Sequence, residues 1–295
     1  MCVSVLAGLY WYRARMEWTP VNMASYLPRV NATVAYIDVE KLRDAGLLEL
    51  IVGSKALEEL DYRKFVDETG FDYRNDLDRI VIAFQGDNRF VVARGKYDWK
   101  KINQYLLNAG GTCHNGACNY QDAHVIGHSI SYLPVRPTVM SLYSGSTAWG
   151  VYDLTPRRLD GPAAAFPDAP VWVSVPASAW TSNRDLPAGA KAFASVFAEA
   201  ERVVFSVNAD PSKSIKLYAD VSCANPDAAA KINTRLTEAT DLLRKMMARE
   251  HETPSTRDLS GLLAGGEFRV DGSSVKATWP LQRAFIESLV SGTVN

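Results

Sequence analysis

Arg79-Ile80-Val81-Ile82-Ala83-Phe84-Gln85-Gly86-Asp87-Asn88-Arg89-Phe90-Val91-Val92-Ala93-Arg94 is the stretch on which the fold turns. Two runs of β-branched and aromatic residues flank Gly86-Asp87-Asn88, the pattern of a strand, a tight turn and a returning strand. The second half repeats it. Arg202-Val203-Val204-Phe205-Ser206-Val207 and Ser214-Ile215-Lys216-Leu217-Tyr218-Ala219 form a second hairpin, turning at Ala209-Asp210-Pro211.

Upstream of the first hairpin, Ala32 to Val39 reads as a strand. A helical stretch follows with Leu42, Leu47, Leu48, Leu50 and Ile51 apolar, then a helix from about Lys55 to Thr69 that stops at Gly70. Downstream, Asp98 caps a helix presenting Trp99, Ile102, Tyr105 and Leu106 on one face. The second half keeps that order. Ala169 to Val175 is the strand, Ala190 to Ala200 a helix, and Asn225 or Asp227 caps a long helix bearing Ile232, Leu236, Leu243 and Met247. Local strings agree as well: Lys101-Ile102-Asn103 matches Lys231-Ile232-Asn233.

Each half therefore reads β-α-β-β-α followed by further strands, which predicts an α+β fold. The expectation is two tandem ferredoxin-like (split βαβ) modules, with mostly antiparallel sheets and helices on one face. The further strands are expected at 112–119, 123–132, 138–143 and 147–152, then at 267–270 and 274–279, before a final helix over 281–289. The expected organisation is a segment and tether over 1–25, a first module over 26–155, a linker over 156–170 and a second module over 171–295. Pro156, Gly161-Pro162, Pro167 and Pro170 interrupt regular structure in that linker.

The 295 residues carry 32 Lys plus Arg against 33 Asp plus Glu, so no global field favours nucleic acid, and no nucleic-acid partner is expected. Four cysteines are too few for a disulfide scaffold. The first twelve residues are uncharged, and Val5, Leu6, Leu9, Tyr10, Trp11 and Tyr12 are candidates to contact a membrane. Twelve helical residues span about 18 Å, short of the roughly 30 Å hydrocarbon core. Tyr10-Trp11-Tyr12 before Arg13 and Arg15 has the character of an interfacial belt. Three readings stay open: an anchor whose upstream half precedes Met1, a helix lying in the interface, and a buried helix of a soluble protein. Residues 17 to 28 read as a tether punctuated by Pro20 and Pro28, with the folded part starting near Asn31.

Glu68-Thr69-Gly70-Phe71-Asp72 leading into Asp76-Leu77-Asp78-Arg79, and Gly266 to Gly272 followed by Trp279-Pro280, resemble a group of uncharacterised bacterial cell-envelope proteins. That resemblance implies an N-terminal membrane segment and tandem α+β modules. It implies no catalytic residues.

Local motifs are sparse. Asp72, Asn75, Asp76 and Asp78 offer oxygen at short spacing, but Leu77 stands where a calcium loop needs glycine; a turn and strand entry is the simpler reading. His124 and His128 share a strand face without a third ligand at metal-site spacing, and His114 lies across a turn. Ser273-Ser274-Val275-Lys276 matches Ser-x-x-Lys but falls on a hairpin arm, where the two ends point to opposite faces. No metal, cofactor or catalytic residue is assigned. Trp99 and Trp172 fall on core-facing positions.

Thr112-Cys113-His114-Asn115-Gly116-Ala117-Cys118-Asn119 is the exception. Asn-Gly is the two-residue loop of a type I′ turn, which needs positive φ at both positions. With that loop, Cys113 faces Cys118 in a non-hydrogen-bonded pair, with Cα atoms about 4.5 Å apart and within reach of a disulfide. Cys2 and Cys223 are expected to be free. These readings predict a non-enzymatic, membrane-tethered envelope protein on the periplasmic or extracytoplasmic side. It meets the membrane through its N-terminus and has a protein partner in a larger membrane complex. A small-molecule or peptide module using a cleft between the halves, and an enzyme without a local motif, are the alternatives.

Overall fold

Strand β1 (Thr33–Asp38) pairs antiparallel with β2 (Leu77–Gln85), and β2 turns through Gly86-Asp87 into β3 (Asn88–Gly95). Gly86 has φ +58°, the left-handed geometry that a two-residue loop requires. The computed structural model describes residues 18–28, 30–49, 60–121, 127–156, 166–180, 195–209, 215–249 and 255–291. The chain divides into two compact units, residues 1–40 with 59–168 and residues 41–58 with 169–295.

In the first unit the remaining strands are β4 (Thr112–His114), β5 (Ala117–Gln121), β6 (Ser129–Arg136) and β7 (Val139–Gly145). Their order is β1-β2-β3-β7-β6-β5-β4. The second unit contains β8 (Val171–Pro176), β9 (Arg202–Ala209), β10 (Ile215–Ser222), β11 (Glu267–Asp271) and β12 (Ser274–Leu281), ordered β8-β9-β10-β12-β11. The two units share one plan: three strands in sequence, a helix, then two strands placed in reverse order. The first adds the β4–β5 hairpin beyond β6.

That plan is α+β and antiparallel, but its strand order is not ferredoxin-like. Because β3 and β6 each run antiparallel to β7, they run parallel to one another with β7 between them. Strands β10 and β11 flank β12 in the same way. Each unit thus contains one split βαβ. A ferredoxin-like module interlocks two, and the second would need β1 and β2 to be parallel and separated. They pair directly and antiparallel instead. Antiparallel neighbours begin and end at the same edge of the sheet, so the helical excursion between them must go out and return.

Between β1 and β2 lie α2 (Val39–Asp44), α3 (Leu60–Thr69) and α4 (Tyr73–Asp76). Gly70, at φ +74°, ends α3, its N–H bonding to Val66 O at 2.7 Å. Helix α5 (Trp99–Asn108) follows β3, with the Asp98 side chain accepting from Lys101 N–H at 3.2 Å. Ile102 and Leu106 of α5 pack on Cys118 and Tyr132 of the sheet. After residue 169 the described α-helices are α6 (Ala177–Trp180), α7 (Pro226–Arg249), α8 (Leu259–Ala264) and α9 (Arg283–Ser291), and Val196–Glu199 is a 3₁₀ turn within the helix expected over 190–200. Asn225 caps α7 by accepting from Ala228 N–H. Ile232 and Leu236 of α7 cover Val203, Ala219, Val221, Val275, Ala277 and Trp279. Those side chains share one face through the pairs Val203↔Val221↔Val275 and Val207↔Leu217↔Trp279.

Helix placement on one face holds for α5 but not for the whole first unit. The row Tyr36, Val81, Val92 and Ser141 on the opposite face is also buried, at 2% exposure or less. A 3₁₀ turn over Gly150–Asp153 packs on that face, where Val151 N–H donates to Ser131 Oγ at 3.2 Å. This segment is not the strand expected over 147–152. Thr147 N–H bonds the Tyr143 hydroxyl, and a Cβ on Gly150 would lie 2.6 Å from the Tyr143 ring, so the chain folds back over that tyrosine. Nor are residues 18–28 a loose tether. Helix α1 (Pro20–Ala24), capped by the Thr19 side chain, lies against β2 and β3 and buries Trp18, Met23, Ala24 and Leu27. Pro20, read as punctuation, is the N1 proline that a helix start tolerates. The strand expected from 123 begins at Ser129, residues 122–126 lying outside the described residues, and the final helix starts at Arg283.

Candidate functional site

The densest chemistry of the first unit lies where the β4–β5 hairpin meets α5. Asn115 and Gly116 have φ of 49° and 80°, the conformation of a type I′ turn. Their loop sets the register His114↔Ala117, Cys113↔Cys118 and Thr112↔Asn119. Cys113 and Cys118 are joined by a disulfide, with Cα atoms 4.0 Å apart. The two sulfurs have unlike surroundings. Cys113 is exposed on the outermost strand, whereas Cys118 is 2% exposed in the cluster of Ile102, Leu106 and Tyr132.

Helix α5 brings one polar group to this cluster. Asn103 Oδ1 accepts from the Tyr132 hydroxyl at 2.6 Å and stands 3.7 Å from Cys118 Sγ. Burial pushes the Tyr132 phenol up to about 12, so it stays a donor at neutral pH. Close approach of the chain to α5 needs glycine at 111, where a Cβ would lie 2.1 Å from Leu106 Cδ2. On the other side, the Tyr152 hydroxyl donates to His114 O at 2.8 Å, and Trp149 stacks on Tyr152. Asn103, Tyr132 and Tyr152 carry no sequence signal for these roles. They lie 15, 14 and 34 residues from Cys118 and reach the hairpin only through strand order and helix packing.

A second polar group is a row of charges at the far end of the same sheet. Asp38, 2% exposed, stands opposite Arg79, and Arg79 stands opposite Arg94. Arg79 Nε lies 3.5 Å from Asp38 Oδ2, and Arg79 Nη2 lies 3.8 Å from Glu40. Arg94 Nε lies 3.6 Å from Asp78, which the bulge between Leu77 and Arg79 brings to it. The Tyr36 hydroxyl donates to Asp38 Oδ2, and burial, then the Asp38 charge, raise its pKa. Each arginine of the row thus has a carboxylate within 4 Å, as buried charge requires.

The acidic cluster is likewise spent on structure. Asp72 caps α4, accepts from the Tyr62 hydroxyl at 2.9 Å and meets Arg74 at 2.6 Å. The Arg74 hydrogen bond holds the Asp72 carboxyl below its usual range. Asp76 Oδ2 accepts from Asp72 N–H, and Asp72 Oδ1 accepts from Arg74 N–H, so both carboxylates are turned onto nearby backbone. No group of three His, Cys, Asp or Glu suited to a metal occurs among the described residues. His128 Nε2 meets Ser144 Oγ at 2.8 Å; His114 sits on β4, and His124 lies outside the described residues. Lys276 pairs with Asp220 across the β10–β12 register, away from the helix start that a Ser-x-x-Lys site needs. Trp172 is fully buried, and Trp99 is half-buried with its Nε1–H donating to Pro137 O. Cys223 is a buried free thiol.

A cleft of about 150 Å³ in the second unit is lined by Ser255, Thr256, Leu262, Pro280, Gln282 and Phe285. That is half the volume at which small-molecule sites begin. Val5, Leu6, Leu9, Tyr10, Trp11, Tyr12 and Cys2 lie outside the described residues. Among the described residues no helix is long and apolar enough to cross a membrane. The chain matches no protein-family model, no curated protein and no solved structure.

Proposed function

We propose that this chain is a non-enzymatic, membrane-tethered protein of the cell envelope, serving as a structural or accessory subunit of a larger membrane complex on the extracytoplasmic side. The observation that carries the reading is the Cys113–Cys118 bond on an exposed strand. Such a bond persists in oxidising compartments and is reduced in an ordinary cytosol. The apolar run from Met1 to Tyr12, closed by Arg13 and Arg15, supports a tether. Two units built on one strand plan support a scaffold that presents surface to a protein partner.

Cells expressing the protein from its natural locus are fractionated after gentle lysis, and the membrane fraction is mildly solubilised for a native pull-down. The expected result is recovery with membranes, together with a stoichiometric membrane-protein partner. Recovery in the soluble cytosolic fraction overturns the reading.

A further inference from the structure

We infer that the Cys113–Cys118 pair is a thiol–disulfide exchange site, opened and closed by a dithiol-bearing protein while the chain stays folded. The proposal rests on the hairpin and its helix, and concerns the same bond that carries the reading above.

Three observations carry it. The bond is asymmetric: Cys113 is exposed on a three-residue edge strand, and Cys118 is 2% exposed. An attacking thiolate therefore has access at Cys113, and Cys118 is the leaving sulfur. The second observation is the placement of Asn103. A sulfur in a disulfide has no hydrogen to give, so the 3.7 Å approach of Cys118 Sγ to Asn103 Oδ1 makes no hydrogen bond in the oxidised chain. After reduction the Cys118 S–H finds an acceptor already in place, because a carbonyl oxygen serves both it and the Tyr132 hydroxyl. Third, the hairpin is held by more than the bond: the Asn115-Gly116 turn, the β4–β5 pairing and the Tyr152 hydroxyl on His114 O are contacts that need no disulfide.

The exchange balances as follows. One thiolate of the dithiol attacks Cys113 Sγ, the Cys113–Cys118 bond breaks, and Cys118 leaves as a thiolate that takes up a proton and donates to Asn103. The second thiol of the dithiol then attacks the mixed disulfide and releases Cys113, which is protonated. Two electrons and two protons pass to this chain, and the dithiol becomes a disulfide. Reversal closes the hairpin bond.

The test uses the full oxidised chain with a thioredoxin-type dithiol protein under native conditions. Alkylation and the mass of the peptide holding both cysteines count the thiols, and circular dichroism follows the fold. Both cysteines are expected to alkylate with an unchanged spectrum, and a reductant lacking its resolving cysteine is expected to be trapped on Cys113. Asn103→Ala, with the volume-keeping Asn103→Leu as a second variant, lowers the equilibrium constant for reduction by about fivefold, the worth of one hydrogen bond. A bond that yields only after unfolding in guanidinium overturns the proposal. So does an adduct on Cys118, or an equilibrium constant that both Asn103 variants leave unchanged.

Discussion

Asp38 of β1 stands directly across from Arg79 of β2, and the carboxylate and guanidinium meet at 3.5 Å at the last pair of that ladder. Removing the arginine takes away the cation that faces Asp38, which is 2% exposed. Arg79→Met is expected to lower unfolding stability by about 3 kcal/mol. Asp38→Asn with Arg79→Met together costs less than the sum of the two single changes, because the stranded charge is gone. Urea unfolding of the three variants measures this, and additive effects would show that the pair is not coupled.

Asp72 ties α4 to Tyr62 and Arg74, and its carboxyl is held below the usual range first by the Arg74 hydrogen bond. A folded-state pKa below the unfolded value near 3.9 gives stability that is fully present above that value. It is lost as pH falls through the folded pKa. Asp72→Asn keeps a capping oxygen for α4 but loses the charge that faces the Arg74 guanidinium, and is expected to cost about 1–2 kcal/mol at pH 7. The difference from the native chain shrinks from about pH 4 downward. Denaturation at pH 7 and pH 3 checks the sign; a difference that grows in acid contradicts it.

Gly95 lies where a Cβ would approach Asp76 O to 2.4 Å, while Lys96 N–H bonds that same oxygen. Gly95→Ala must push β3 away from the end of α4, at roughly 1–3 kcal/mol. Gly46→Ala, at φ +67° with open space around it, meets strain in the backbone alone and is the milder change. Thermal unfolding of both ranks them.

The Cys113–Cys118 bond closes a short loop around the Asn115-Gly116 turn, whose own residues favour its geometry. Replacing the pair by Cys113→Ser and Cys118→Ala is expected to lower stability by about 2 kcal/mol. The far-ultraviolet spectrum should stay the same. Loss of the folded spectrum would mean that the hairpin needs its bond.

Several features were legible because their causes are local. Continuous β-branched and aromatic runs on either side of Gly86-Asp87-Asn88 specify a two-strand hairpin, since strand propensity and turn chemistry act within a few residues. Asn115-Gly116 specifies the register that puts Cys113 opposite Cys118. Asp98, Asn225 and Gly70 mark helix ends through groups one to four positions away. The shared Lys-Ile-Asn string falls on α5 and α7, and its isoleucine, Ile102 or Ile232, is buried in each.

Only the tertiary structure decided the rest. The direct pairing of β1 with β2, and the insertion of β7 between β3 and β6, depend on which sheet faces must be covered by segments distant in sequence. The burial of Met23, the fold-back over Tyr143 and the arrival of Asn103 beside Cys118 follow from that order. A residue's own neighbours in sequence set its backbone preference. What it touches is set by apolar area removed from water across the whole unit, and no short window of sequence contains that quantity.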